Sequence, residues 1–531
     1  MSNPHDGDLL EQLEEELLTR SDLLRWTAGA TAGVGLLGAV PTALGARQPA
    51  MARASAAIAQ IAFSSSSDSE GLDPSLSDQN SDIFYLSHIY EPLLGIDMQF
   101  QPYPVLAQSW EADRRVRKWV FRLRPGVRFH DGSPLTAKDV AFTLRRLVDP
   151  ASKSQLLSRL GGSFDPSGVR AVNSRTVEIA LKRPDSALPI ALAARQALII
   201  KNGTRAFTRA TAIGTGPFRL KSLSPGRSWE LSKHRSYWRA GFPKLDALRG
   251  VVIREQATKL QSVLTGASQM GDPIDFSAAS TVRGRAEVLV QPNAAFFNIV
   301  MDGTKKPFDD PRVTLAIKLA TDRAAMLRAA FQGYASVASD APAPANDPNF
   351  PPAIGVRRQN IARARQLLAD AGYRDGVDLE LFTTDTVGGQ VAFAVAFAEV
   401  VRPAGIRVKI NQWPSQTYWD EIFMKAPFYV SYFFRRYVPD ALQFAFTSNA
   451  PFNDSRFKNP TLDSVVNKAL ATPNVAEQRA LYRQGLGIVS NQAGNMIPGM
   501  HHRLWVKSKS LKGVRLDASR GALLGDASLR S

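Results

Sequence analysis

The stretch Trp119-Val-Phe-Arg-Leu-Arg-Pro-Gly-Val-Arg-Phe-His-Asp-Gly-Ser-Pro-Leu-Thr-Ala-Lys-Asp-Val140 places strand, turn and helix signals side by side. Residues 118–124 alternate, with Trp119, Phe121 and Leu123 on one face and Val120, Arg122 and Arg124 on the other, the pattern of a half-buried strand. Pro125-Gly126 turns the chain, Val127-Arg-Phe-His130 is predicted to answer as a second strand, and Asp131-Gly132 turns it again. Thr136 then stands where a helix cap belongs, and Asp139 three residues on favours a helix N-terminus. Val140, Leu144 and Leu147 repeat at helical spacing behind it.

Working outward, Ile58-Ala-Gln-Ile-Ala-Phe63 reads as a first strand that ends in the Ser- and Asp-rich loop from Ser64 to Asp73. A hairpin is predicted from Phe218–Ser222 to Trp229–Lys233, joined through Ser224-Pro225-Gly226. Downstream the texture becomes alternating helix and strand. Ile361, Ala364, Leu367, Leu368 and Ala371 form a helical stripe stopped by Gly372, and Val377, Leu379 and Leu381 form a strand. A helix over 388–402 and a strand at Ile406, Val408 and Ile410 complete a strand–helix–strand crossover, which implies a parallel pair. The class is α/β, with a β-rich first half.

Composition narrows the function. The 531 residues exceed a typical domain several times over, so the chain has room for at least two lobes with their own cores. Lys and Arg number 65 against 48 Asp and Glu, a net charge of +17, yet the arginines are spread without a basic block or nucleic-acid module. There is no cysteine, which excludes disulfides, thiolate metal sites, a cysteine nucleophile and the attachment point of a bacterial lipid anchor. No phosphate-binding Gly-rich loop, His-Glu-x-x-His zinc motif or Gly-x-Ser-x-Gly elbow occurs, so no catalytic residue is assigned and no cofactor is expected. His501-His502 is the one pair that invites a metal, and neighbours on a strand point to opposite faces, so no metal site is expected.

Residues 1–46 are read as an export signal that is cleaved, with an uncleaved anchor as the alternative. Trp26 to Gly45 carries no charge and is small and mildly apolar, behind Thr19-Arg20-Ser21-Asp22-Leu23-Leu24-Arg25. The layout is twin-arginine-like, with Ser21 where the second arginine belongs. The leader holds seven acids and two bases, so its removal takes the chain from +17 to +22. Residues 47–57 read as a linker, and the expected location is the periplasm.

The segment Pro104-Val-Leu-Ala-Gln-Ser-Trp110, together with the opening stretch, resembles the family-5 extracellular solute-binding proteins, the peptide-, nickel- and opine-binding receptors of bacterial ABC importers. Further matches follow in the family's order: Ile89-Tyr-Glu-Pro-Leu93, Gly214-Thr-Gly-Pro-Phe218, Tyr237-Trp238, Pro307-Phe-Asp-Asp-Pro-Arg-Val313, Asp322-Arg323 and Asn459-Pro-Thr-Leu-Asp463. The resemblance implies a two-lobed periplasmic-binding-protein fold of type II, in the large cluster with an extra subdomain, whose hinged lobes close on a ligand. Its expected layout is lobe 1 over 58–300 with the subdomain at about 95–200, lobe 2 over 301–485, and a return to lobe 1 over 486–531. It further implies a peptide or peptide-like small solute as ligand, a permease in the inner membrane as partner, a monomeric receptor and no nucleic acid. An enzyme on the same scaffold is the remote alternative.

In peptide-binding relatives the position four before the proline of Arg435-Arg436-Tyr437-Val-Pro439-Asp440 commonly holds an aspartate that pairs with the peptide's amino group; here it is Arg435. A guanidinium suits a carboxylate or phosphate held by two hydrogen bonds, which gives weight to an anionic non-peptide solute such as an opine or a sugar-phosphate-like compound. Strand alternation is expected to let only one of Arg435 and Arg436 face inward, and Asp440 is an alternative amine partner. Trp413, Tyr418 and Trp419 after one strand, and Tyr432 and Phe434 on the next, are candidate aromatic walls. Phe297 and Asn298 are candidates near the hinge, and Glu70 with Asp73 on the opposite wall.

Overall fold

The computed structural model describes residues 56–64, 70–282, 284–385 and 387–530, which fall within one compact unit starting at Ala56. The export signal and nearly all of the linker lie outside the described residues. Strand β1 (Ile58–Phe63) runs in the middle of a large sheet, and its last three residues are all buried, as a strand covered on both faces requires. Helix α1 (Asn80–Ile89) follows and is buried along nearly its whole length.

Strands β2 (Ala107–Ala112) and β3 (Lys118–Leu123), helix α2 (Ala137–Leu147), and strands β4 (Val169–Asn173) and β5 (Thr176–Ala180) pack together, the strands forming a sheet separate from the large one. This antiparallel sheet has the order β2-β3-β5-β4. Trp119, Phe121 and Leu123 point into one core with Val140, Leu144, Leu147, Val177 and Ile179, as the alternating and helical patterns require. Asp139 accepts hydrogen bonds from the backbone N–H (2.8 Å) and hydroxyl (2.7 Å) of Thr136, which closes the start of α2. The strand expected at 127–130 does not form. His130 N–H donates to Gly214 O and Phe129 N–H to Ser133 O, so the segment's donors are used outside any ladder and an isolated bridge from Arg128 to Pro134 is what remains.

The predicted hairpin is β6 (Phe218–Ser224) and β7 (Ser228–Lys233), with Gly226 at a positive φ of 67° in the turn. After β8 (Ala247–Val252) and β9 (Met270–Asp272) comes β10 (Glu287–Met301), fifteen residues long. Helices α3 (Pro311–Ala320), α4 (Arg323–Phe331) and α5 (Ile361–Asp370) precede β11 (Val377–Thr384), α6 (Gln390–Val401), β12 (Ile406–Trp413) and β13 (Phe428–Phe434). β11 and β12 are parallel neighbours, as the crossover pattern predicts. Helices α7 (Val438–Ala445), α8 (Pro460–Ala471) and α9 (Val475–Gln492) lead to β14 (Gly499–Lys507).

The main path of the large sheet is β12-β11-β13-β10-β14-β9-β1-β8-β7-β6. β10 belongs to both ends of it. Its residues 287–291 pair with β14, its residues 295–301 with β13, and the register shifts between Gln291 and Ala295, where Asn293 takes a φ of 54°. One core, with Phe297, Ile317, Leu381 and Phe397, lies on one side of this break. Another, with Ile61, Phe63, Trp229, Leu248 and Trp505, lies on the other. The architecture is that of a two-lobed α/β binding protein, and the bulge of β10 sits where the two meet.

Candidate ligand cleft

The break in β10 opens the cleft. β13 ends at Phe434 beside it, and the Arg435 backbone N–H donates to Ala294 O at 2.9 Å, fixing where the chain leaves the sheet. Along β13, Tyr432 and Phe434 share a face, their rings 5.3 Å apart, while Phe433 packs on the other side against Phe296 and Phe444. Two contiguous chambers share Ala294, Phe434 and Arg503 as a common wall. The first, about 1090 Å³ with its open mouth included, is faced by Arg195, Arg435, Arg436 and Arg503, with Asp440 as its acid and Phe100 and Gln291 on the walls. The second, about 1340 Å³, is faced by Asp78, Asp275, Phe276, Tyr432, His501 and His502.

Both Arg435 and Arg436 face the first chamber. Alternation does not separate them because β13 has ended at Phe434 and they occupy the loop before α7. Arg435 is held by Asp347, Nη2 to Oδ2 2.6 Å, and lies over the Phe100 ring at 4.4 Å. Burial lowers its pKa, opposed by the Asp347 charge. Arg436 lies 3.7 Å over the Phe444 ring and 3.8 Å from Asp440. Asp440 is mainly engaged by Arg159, which also holds Asp185 at 2.8 Å, so it is not available as a free amine partner.

Four candidates belong to the packed interior rather than to the cleft. Tyr418 is fully buried, its hydroxyl donating to Val430 O at 2.8 Å. The Phe297 ring is stacked among Phe331, Phe393 and His501. Asn298 is buried and donates to Asp454 at 3.2 Å. Glu70 accepts from the Gly226 N–H at 3.2 Å and so ties down the β6–β7 turn. Packing in the interior is the usual fate of aromatic residues such as Tyr418 and Phe297, while Asn298 and Glu70 are each tied to one group of the chain. Trp413 and Trp419 are half-buried in a small cluster with Tyr418 and Tyr429, away from both chambers. Asp73 pairs with Arg146. His501 packs against Phe276, Phe297, Phe331 and Tyr432, and burial pushes its pKa down to about 4. His502 also lines the second chamber, and its Nδ1 accepts from the Asn293 N–H at 3.1 Å. Among the described residues no cluster of three or more His, Asp or Glu could hold a metal.

Sequence reasoning missed Arg195, Arg503, Asp347 and Asp275. One signal was present for Arg195, which interrupts the apolar run from Ala187 to Ile200 as its sole charge.

A family model for bacterial extracellular solute-binding proteins, family 5 Middle, matches residues 101–456. The chain belongs to this family. As a family-5 solute-binding protein it is the substrate-binding receptor of an ABC importer. It is 28% identical over 444 residues to the glutathione-binding protein GsiB of Pectobacterium atrosepticum, covering 80% of this chain and 85% of that one. In fold, the receptor is similar to the binding protein AgaA in complex with agropinic acid from A. tumefaciens R10, at 21% identity and a TM-score of 0.74 over 89% of this chain and 99% of that one. It is similar also to the dipeptide-binding protein of Pseudoalteromonas sp. SM9913 in complex with Met-Leu, at 19% identity and a TM-score of 0.74 over 89% and 100%. No helix among the described residues is long and apolar enough to cross a membrane.

Proposed function

We propose that this receptor captures a peptide or peptide-like small solute carrying both an ammonium and a carboxylate, in the periplasm, and delivers it as a monomer to an inner-membrane permease. The observation that carries this reading is the polarity of the cleft: Arg195, the one arginine of the first chamber with no acid partner among the described residues, faces one chamber, while Asp78 and Asp275, which make no ion pair with any described residue, face the other. A zwitterion laid across the shared wall at Phe434 meets opposite charge at each end, and charge complementarity of this kind supplies specificity. The glutathione- and dipeptide-binding relatives agree with it.

The arginines taken alone favour a second reading, an anionic non-peptide solute such as an opine or a sugar-phosphate-like compound, and the AgaA complex with agropinic acid fits that chemistry. Thermal melts in the presence of glutathione, dipeptides and opines distinguish the two. A ligand at 100 times its Kd stabilises the native state by about 2.7 kcal/mol, enough for a clear shift. Shifts with glutathione or dipeptides support the zwitterion; shifts with opines alone support the second reading; no shift with any of them contradicts both.

A further inference from the structure

Three of the four arginines of the first chamber already have a carboxylate of the chain. Arg435 has Asp347, Arg503 has Asp272 through two hydrogen bonds of 2.6 and 3.2 Å, and Arg436 has Asp440 at 3.8 Å. Arg195 has none among the described residues, and its buried Nε has no hydrogen-bond partner. It projects from the turn after the short helix Leu188–Ala191, where its own backbone N–H is pinned by Ser519 Oγ at 2.8 Å. Its guanidinium lies 4.9 Å over the ring of Phe434, the wall common to both chambers. Burial, with Arg436 and Arg503 beside it, pushes its pKa down to about 10. Asp82 contributes an opposing field, but burial raises Asp82 to about 7, so at neutral pH it is only partly charged.

A half-buried cation with an unused N–H and no acid is unfavourable by itself and is relieved when a negative group joins it. We propose that Arg195 is the residue that receives the free carboxylate of the bound solute and so determines specificity for a carboxylate at that end. The guanidinium lines the chamber with its face resting on Phe434, an arrangement suited to bidentate carboxylate recognition beside an aromatic. Arg435, the expected anion grip, is already neutralised by Asp347 and serves as wall. The assignment rests on the peptide-like reading, and the solute's ammonium then falls towards Asp78 and Asp275.

The test is calorimetric titration of the receptor with glutathione and Met-Leu, and with glutathione diethyl ester and Met-Leu amide, whose carboxylates are masked. The wild type is expected to bind at least one free acid on the order of tenfold or more tighter than its masked form. Arg195→Gln is expected to lose that preference while binding the masked form as the wild type does, and Arg195→Lys, which keeps the charge without the fork, to fall between. Equal binding of free and masked forms by the wild type, or an undiminished preference in Arg195→Gln, overturns the role of Arg195 and leaves the peptide-like reading standing. No binding of any of the four probes removes the peptide-like reading and the assignment with it. If Arg195→Gln does not fold, the comparison of free and masked forms on the wild type and Arg195→Lys decides.

Discussion

The Arg435 guanidinium sits 2.6 Å from the Asp347 carboxylate, with side-chain exposures of 7% and 8%. At the position where peptide-binding relatives commonly carry an acid, this chain has a base and brings an acid to it from 88 residues earlier. The pair leaves no net charge there, so the polarity of the cleft is set by its other residues.

Breaking a buried pair from one side leaves an uncompensated charge, which costs about 3–5 kcal/mol. Asp347→Asn is therefore expected to lower stability by about that much in urea unfolding, and Asp347→Asn combined with Arg435→Met to recover most of it. Additive losses in the double variant would show that the two side chains act independently.

Burial, reinforced by the charges of Asp78 and Glu70, raises Asp82 to about 7 from an ordinary value of 3.8. The native state then holds a proton that the unfolded chain releases, so this group lowers stability as pH rises from about 4 to about 7. Asp82→Asn is expected to be more stable than the wild type at pH 8, by about 4 kcal/mol at 1.36 kcal/mol per pH unit between about 4 and about 7, with the gain fading towards pH 4. Melting temperatures of both proteins across that range check it, and a pH-independent difference would contradict the assignment.

His501 behaves in the opposite sense. Its native pKa, pushed down to about 4 by burial, lies below the unfolded value of 6.5, so the unfolded state gains the proton first and stability is lost as pH falls below about 6.5. His501→Gln is expected to lose less stability than the wild type between pH 6.5 and 4. The imidazole resonance of His501 should stay constant by NMR from pH 8 to 5; a midpoint near 6.5 would place the ring in solvent.

Tyr418 tests the division between core and cleft. Its buried hydroxyl donates to Val430 O, so Tyr418→Phe leaves a buried acceptor short of a partner and is expected to cost about 1 kcal/mol of stability. Solute affinity in the same calorimetric assay should not change. A tenfold loss of affinity without loss of stability would return Tyr418 to the site.

Local pattern carried much of the fold. The alternation of β3, the Thr136–Asp139 start of α2, the β6–β7 hairpin and the β11–α6–β12 crossover each depend on neighbours within a few residues, and each formed. The strand expected at 127–130 failed because the His130 N–H is claimed by Gly214, far along the chain, and the Phe129 N–H by the nearby Ser133. In the cleft, period two placed Tyr432 and Phe434 on one face. The charge partners were not legible, because Arg503 meets Asp272 across 231 residues and Arg435 meets Asp347 across 88, and no local spacing encodes such pairs. Aromatic residues near the cleft misled for a related reason: period and composition say that Tyr418 and Phe297 are buried, not what buries them.

Native mass spectrometry of the receptor isolated from the cell that makes it is the most direct test of whether the cleft holds a zwitterionic, peptide-like solute. A 1:1 complex is expected, whose released ligand, sequenced by fragmentation, carries both a free amine and a free carboxylate. A ligand without an ionisable nitrogen, or a metal ion in its place, would contradict it.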